Sequence, residues 1–262
     1  MVRGLYTSAA GMNAQQNNID VTSNNIANVN TTAFKKDRTE FADLMYQSLN
    51  YTANATSENT NNPTGIDVGL GVRITGIQKS FLQGSLIETG NDLDVSIQGK
   101  GFFQVVTPNG DIQYTRNGSF KTDSEGALVT AQGYRVEPEI VIPATLTNVS
   151  ISGDGIVSAM NPADGTITVL GQLTLADFVN PAGLAPKGNS LYAQTDTSGA
   201  PIEGIAGTDA FGSLQQGMIE ASNVQLVNAM VDLITAQRAY EANSKSLTTT
   251  DSMLQQVNQL KR

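Results

Sequence analysis

The chain has 262 residues, 39% of them hydrophobic, and its 24 acidic against 15 basic residues give a formal net charge of -9. This charge excludes nucleic acid and anionic lipid as expected partners, because binding to them relies on Lys and Arg replacing counterions. The absence of Cys and His excludes disulfides and thiolate chemistry, and it removes the commonest general base and transition-metal ligand. We therefore expect no catalytic, cofactor or metal site.

The start of the chain lacks the apolar stretch of a cleaved signal peptide after its first basic residue, Arg3. No apolar run approaches the ~20 residues that a membrane-spanning helix needs. If the chain is exported, we therefore expect a route without signal cleavage, and we expect no direct membrane insertion.

A seven-residue apolar repeat within the first thirty residues predicts a helix with a narrow coiled-coil seam. Most other positions there are Asn, Gln, Ser and Thr, which form helices poorly, so we expect this helix to need a partner. We assign residues 1–33 to it. The repeat consists of Leu5, Met12, Ile19 and Ile26.

A polar connector is predicted next, over residues 34–70. Its middle part, residues 47–66, is rich in Asn and has neither helical nor strand periodicity. We expect a loop or an extended segment there.

A central region over residues 71–221 has the alternation and the turns of an antiparallel β domain. Leu93, Val95 and Ile97 alternate with polar residues, and Asn109-Gly110 separates two short apolar runs as in a hairpin turn. Further turn signals divide the rest into short strands. Acidic pairs in these turns lack the ligand series of a calcium loop.

A second seven-residue repeat near the other end predicts a C-terminal helix over residues 222–262, with Ser222 as its N-cap. Two seams at opposite chain ends indicate that the termini pack together. The predicted class is α+β, with paired terminal helices forming a coiled-coil-like domain and a central antiparallel β-rich domain. The second repeat consists of Leu226, Leu233, Tyr240, Leu247 and Leu254.

Five segments resemble the flagellar rod and hook protein family. They are residues 23–35 (SNNIANVNTTAFK), 41–47 (FADLMYQ), 99–105 (GKGFFQV), 114–120 (YTRNGSF) and 237–245 (QRAYEANSK). The first is close to the signature shared by these axial proteins. The resemblance covers essentially the whole chain in the same order.

The resemblance implies a structural, non-enzymatic subunit of the rod in the bacterial flagellar basal body. Such a subunit leaves the cell through the flagellar type III export apparatus and polymerises into a rigid tube that transmits torque across the periplasm to the outer membrane. Its expected partners are copies of itself, the proximal rod and hook proteins, and the P and L ring proteins. The moderate length and the central motifs favour the distal part of the rod.

The residues expected to form the assembly and helix-packing contacts are those of the two seams, two Asn side chains of the signature, and its closing Phe-Lys pair. For the two Asn residues an exposed polar face is the alternative to hydrogen bonds between helices. The full set is Leu5, Met12, Ile19, Asn24, Ile26, Asn28, Phe34, Lys35, Leu226, Leu233, Tyr240, Leu247 and Leu254.

One position departs from the family pattern: Ala33 stands where the family usually has Gly. A Gly there suggests a backbone with positive φ, which Ala adopts only at a cost. We therefore expect that the turn after the first helix either differs here or does not require Gly.

Two other functions remain open. The hook protein and the proximal rod proteins share the terminal signature. A secreted β-domain adhesin is an alternative of a different class, and it predicts a stable monomer in which the terminal repeats are incidental.

Overall fold

A computed structural model describes residues 2–50, 55–57, 60–61, 65–162, 164–208 and 211–260. Helix α1 spans Val2–Ala27 and helix α2 spans Leu226–Leu260. A single 3-10 turn, Pro181–Gly183, lies among the strands of the described residues. The strands, in chain order, are β1 Asp37–Asp43, β2 Tyr46–Asn50, β3 Ala55–Ser57, β4 Thr60–Asn61, β5 Ile66–Gly69, β6 Val72–Lys79, β7 Leu86–Glu88, β8 Val95–Gln98, β9 Phe102–Val106, β10 Ile112–Thr115, β11 Phe120–Thr122, β12 Leu128–Thr130, β13 Arg135–Glu137, β14 Thr147–Ile151, β15 Ile156–Met160, β16 Ile167–Gln172, β17 Thr174–Asp177, β18 Ala185–Gly188, β19 Leu191–Ala193, β20 Ile202–Ile205, β21 Ser213–Gln216 and β22 Met218–Glu220.

The α+β class predicted from the sequence is confirmed, with a helix near each end and antiparallel strands between them. The chain forms two compact units. The helical unit comprises Met1–Ala27, Asp37–Lys79 and Gln225–Arg262, and the β unit comprises Asn28–Lys36 and Ser80–Val224. The predicted domain boundaries at residues 33, 70 and 221 remain predictions.

In the helical unit α1 packs against α2. The approach is close at Gly11, where an added Cβ would lie 2.8 Å from Asn243 Nδ2, so a larger residue would push the helices apart. Nearby, Ser8 Oγ donates to Ser246 Oγ at 3.3 Å. Strands β1 and β6 pair antiparallel in the same unit, with a bulge after Glu40.

The segment predicted as a loop or an extended segment contains paired strands among its described residues. Strand β2 pairs antiparallel with β5, and β3 pairs with β4, because backbone hydrogen bonds can hold a two-stranded ribbon whose side chains are mostly polar. Residues 51–54, 58–59 and 62–64 of this predicted loop lie outside the described residues. The residues on either side of the gaps therefore form an antiparallel ribbon.

The β unit is built on one large antiparallel sheet in the order β11-β12-β13-β9-β10-β19-β18, with β17 joining β9 and β20. The predicted hairpin is confirmed, since β9 and β10 pair through the turn that contains Asn109 and Gly110. A separate sheet is formed by β14, β15 and β16. The fully buried core includes Val95, Ile97, Phe103, Val105, Phe120, Leu128, Val136, Ile140, Leu173 and Leu175.

We predict that Phe103→Ala lowers the free energy of unfolding by about 3–5 kcal/mol, because it leaves a cavity in this core. Phe103 is fully buried, and its ring meets that of Phe120 edge to face at 5.1 Å. Urea unfolding followed by circular dichroism of the strands measures the loss. Ile167→Ala on exposed β16 is the control, with an expected change within about 0.5 kcal/mol. Equal losses in the two variants would contradict this position of the core.

Candidate assembly surfaces and a buried ion cluster

The most deeply buried side of α1 is lined by small and polar side chains. Ser8, Ala14, Thr22 and Asn25 are buried, and with Gly11 they recur at helical spacing. The predicted seam of larger residues lies beside this line and is only half buried. Close packing at Gly11 explains the shift, because only short side chains fit where two helices approach closely. The half-buried seam residues are Leu5, Met12, Ile19 and Ile26.

On α2 the predicted seam divides into two groups. Leu233, Leu247 and Leu254 are half buried, whereas Leu226 and Tyr240 are exposed. A small residue is again the buried one, Ala236. The structure therefore half buries all four residues of the α1 seam and three of the five residues of the α2 seam.

The first half of α2 carries a continuous apolar surface that faces away from the buried line. Val227, Met230, Val231 and Ile234 follow one another at spacings of three, one and three residues, and each is at least half exposed. We call these four residues the α2 apolar face. Contiguous apolar surface of this kind is typical of a contact site.

Among the Asn residues of the signature, the deeply buried amide is that of Asn25 and not that of Asn24 or Asn28. Asn25 Nδ2 donates to Asp37 O at 2.8 Å, and Asn25 Oδ1 accepts from Asp37 N at 2.8 Å. This pair of bonds holds the start of β1 against α1. Asn24 is exposed, and Asn28 Oδ1 accepts from Thr31 Oγ1 at 3.1 Å. Sequence reasoning missed Asn25, although it continues the buried line of α1.

Two residues predicted to take part in helix packing, Phe34 and Lys35, lie after the end of α1 and belong to the β unit. Lys35 is fully buried there, which is unusual for Lys unless it is paired. Its Nζ donates to Glu220 Oε1 at 2.6 Å and to Leu82 O at 2.8 Å. Burial away from water lowers the pKa of the Lys35 ammonium, and the Glu220 carboxylate opposes that shift.

A second cation, Arg116, completes what we call the buried ion cluster of Lys35, Arg116 and Glu220. Arg116 Nε lies 3.7 Å from Glu220 Oε2, and the guanidinium also donates to the carbonyls of Gly99 and Gly101. Burial lowers the pKa of Arg116 as well, again opposed by Glu220. Sequence reasoning missed both partners of Lys35. Arg116 lies in the YTRNGSF motif, but nothing local in the sequence connects it with Glu220.

Ala33 adopts the left-handed backbone that the family Gly suggests, with φ of 57°. Its side chain is fully buried, and its N–H donates to Glu220 O at 2.8 Å. The turn is therefore retained, at a cost of roughly 1–2 kcal/mol for a residue with a Cβ. This backbone supports the second expectation for the position, because Ala occupies the left-handed conformation without Gly.

The described part of the chain offers no group of three or more acidic side chains that could hold a metal ion. In the same residues, no helix is long and apolar enough to cross a membrane.

Family comparisons match three regions of the chain. Residues 5–35 match a family described as flagella basal body rod protein, residues 96–159 the D1 domain of the flagellar hook proteins FlgE/F/G, and residues 215–260 the C-terminal region of flagellar basal body rod FlgEFG proteins. These regions include most of α1, the three residues of the ion cluster, and α2.

Full-length relatives agree with these matches. A flagellar basal-body rod protein FlgG of Borreliella burgdorferi is 47% identical and covers 100% of both chains. The FlgG of Agrobacterium fabrum is 46% identical over 96% of this chain and 97% of its own. The FlgG of Bacillus subtilis is 38% identical over 100% of both.

The chain therefore belongs to the flagellar rod and hook protein family. Its full-length relatives named above are FlgG basal-body rod proteins, so the chain has a structural role in the rod and is located in the basal body of the bacterial flagellum. The sequence-based identification of the family is confirmed.

We predict that Glu220→Gln lowers the free energy of unfolding by about 3–5 kcal/mol and that Lys35→Met costs less. Glu220→Gln leaves two buried cations without a counter-charge, whereas Lys35→Met leaves Arg116 paired. Urea unfolding gives both values.

The control for this pair is Arg135→Gln. Arg135 forms exposed ion pairs with Glu125 and Glu139, so its loss should cost less than about 1 kcal/mol. A larger loss for Lys35→Met than for Glu220→Gln would contradict the central position of Glu220 in the cluster.

Proposed function

We propose that this chain is a catalytically inert subunit of the distal rod that polymerises with copies of itself into a rigid tube. It leaves the cell through the flagellar export apparatus, and its terminal helices form the contacts between subunits. The proximal rod and hook proteins adjoin it along the axis, and the P and L ring proteins surround it. The family membership supports this role, and the α2 apolar face is the observation that carries the assembly mechanism.

The α2 apolar face supports polymerisation because four aliphatic or thioether side chains are exposed to water there. Their exposed area does not stabilise the monomer. Covering the exposed half of one such side chain contributes about 1 kcal/mol, because full burial from water contributes about 1.5–3 kcal/mol. The neighbouring helix α1 packs on the side of α2 that carries Ala236, so in the monomer α1 does not cover this face. A second copy of the chain is the partner that a polymer supplies at every position.

The presence of two different candidate contact surfaces favours an open assembly over a closed dimer. The predicted seam of α1 and the α2 apolar face are different surfaces, and a contact between two different surfaces repeats from subunit to subunit. Such a contact produces an open helical assembly when the rotation between successive subunits does not close into a ring. The half-buried Leu5, Met12, Ile19 and Ile26 are candidates for the second surface.

We predict that Ile234→Asp blocks assembly and leaves the stability of the monomer within about 0.5 kcal/mol of the original. Ile234 is 54% exposed in the monomer, so a carboxylate there becomes costly only when a neighbour buries it. Sedimentation at rising protein concentration measures assembly, and urea unfolding measures monomer stability.

The matched control is Thr235→Asp, which adds the same charge to the next residue of α2, at an exposed site outside the apolar face. We expect it to assemble much better than Ile234→Asp. Normal polymers of Ile234→Asp would refute the role of this face, as would equal inhibition by the two substitutions.

A further inference from the structure

Three segments at the ends of the β unit are bonded to one another. They are residues 33–36, residues 80–84 and residues 220–223, and each lies within a few residues of a point where the chain passes from one unit to the other. We call these three segments and the bonds between them the end clamp. All of its bonds lie within the β unit.

The first set of bonds joins residues 33–36 to residues 220–223. Ala33 N donates to Glu220 O at 2.8 Å, and Asn223 N donates to Phe34 O at 3.3 Å. The Asn223 side chain adds a bond, since its Oδ1 accepts from Lys36 N at 2.8 Å. The segments that begin and end the β unit are therefore held side by side.

The second set joins both segments to residues 80–84. Ser80 N donates to Lys36 O at 2.9 Å, and Asn223 Nδ2 donates to Ser80 O and Leu82 O at 2.8 and 3.0 Å. Glu220 Oε1 accepts from Gly84 N at 2.8 Å in addition to the Lys35 ammonium. The ion cluster thus lies within the clamp and ties its three segments together.

We propose that the end clamp is the site of the β unit that resists mechanical force, when that force is applied along the chain where it enters and leaves this unit. The inference rests on the proposed function as a subunit of a rigid rod. Tension between residues near 31 and 225 passes through the clamp first, because its bonds connect the two loaded segments directly. The large sheet lies in the chain between residues 84 and 220, inside the loop that the clamp closes, and is loaded only after the clamp opens.

The buried ion pair of the clamp resists separation more than it adds to the free energy of unfolding. A buried ion pair adds little net stability, because both charges lose their hydration on folding. Separating the pair is nevertheless costly, since each charge is left without a counter-charge away from water. The backbone bonds lie beside it and share the load, so several bonds must break together.

Single-molecule pulling tests the proposal on the full-length chain. The sequence has no Cys, so two introduced Cys residues give unique attachment points. Thr31→Cys with Gln225→Cys loads the clamp, and Asn109→Cys in an exposed turn with Lys187→Cys on the edge strand β18 loads the sheet. The variant to compare is Asn223→Ala, which removes side-chain bonds of the clamp without leaving a buried charge. Glu220→Gln is the stronger second variant.

We expect Asn223→Ala to raise the unfolding rate at constant force on the order of 10- to 100-fold when residues 31 and 225 are pulled. Between residues 109 and 187 we expect much less change. Phe103→Ala is the matched control. It should raise the unfolding rate more when residues 109 and 187 are pulled than when residues 31 and 225 are pulled.

Equal acceleration by Asn223→Ala in both directions would overturn the proposal, as would no acceleration between residues 31 and 225. The experiment uses single monomers, so such a failure would leave the assembly result for Ile234→Asp unaffected. Conversely, a failure of assembly through α2 would leave the pulling result standing.

Discussion

The burial of Lys35, Arg116 and Glu220 is the constraint on which the arrangement of the β unit depends. Lys35 lies 185 residues before Glu220, and both side chains are fully shielded from water. Misplacing either segment would leave a buried charge unpaired, at a cost of about 3–5 kcal/mol. The cluster therefore specifies one position for residues 33–36, and the left-handed backbone of Ala33 is the local cost of reaching it.

The two helices of the proposed assembly surfaces lie close in the chain to the residues of this cluster. Helix α1 ends at Ala27, shortly before the segment that Lys35 anchors, and α2 begins at Leu226, shortly after Glu220. Within the helical unit they meet along small residues such as Gly11, which leaves larger apolar side chains accessible to neighbouring copies.

Local patterns in the sequence predicted the elements well, and contacts between distant residues account for the differences. Seven-residue repeats gave both helices, and Asn109-Gly110 gave a hairpin, because these signals depend on neighbouring residues. Helix α2 begins four residues after the predicted cap, since Ser222 lies within the end clamp and its Oγ accepts from Val224 N. The line of closest helix contact followed Gly11 and Ala14 rather than the largest side chains. The partner of Lys35 could not be predicted, because no periodicity links residues so far apart in the chain.

Accessibility of the α2 apolar face tests the central claim most directly. The chain contains no Cys, so Val231→Cys reports on this face alone when it is labelled with a maleimide, and Asn109→Cys in an exposed turn serves as the reference. The account predicts fast labelling of Val231→Cys in the monomer and labelling slower by on the order of tenfold or more in the assembled rod, where reaction requires local opening. Equal labelling rates of Val231→Cys in monomer and rod, with the reference unchanged, would contradict assembly through this face.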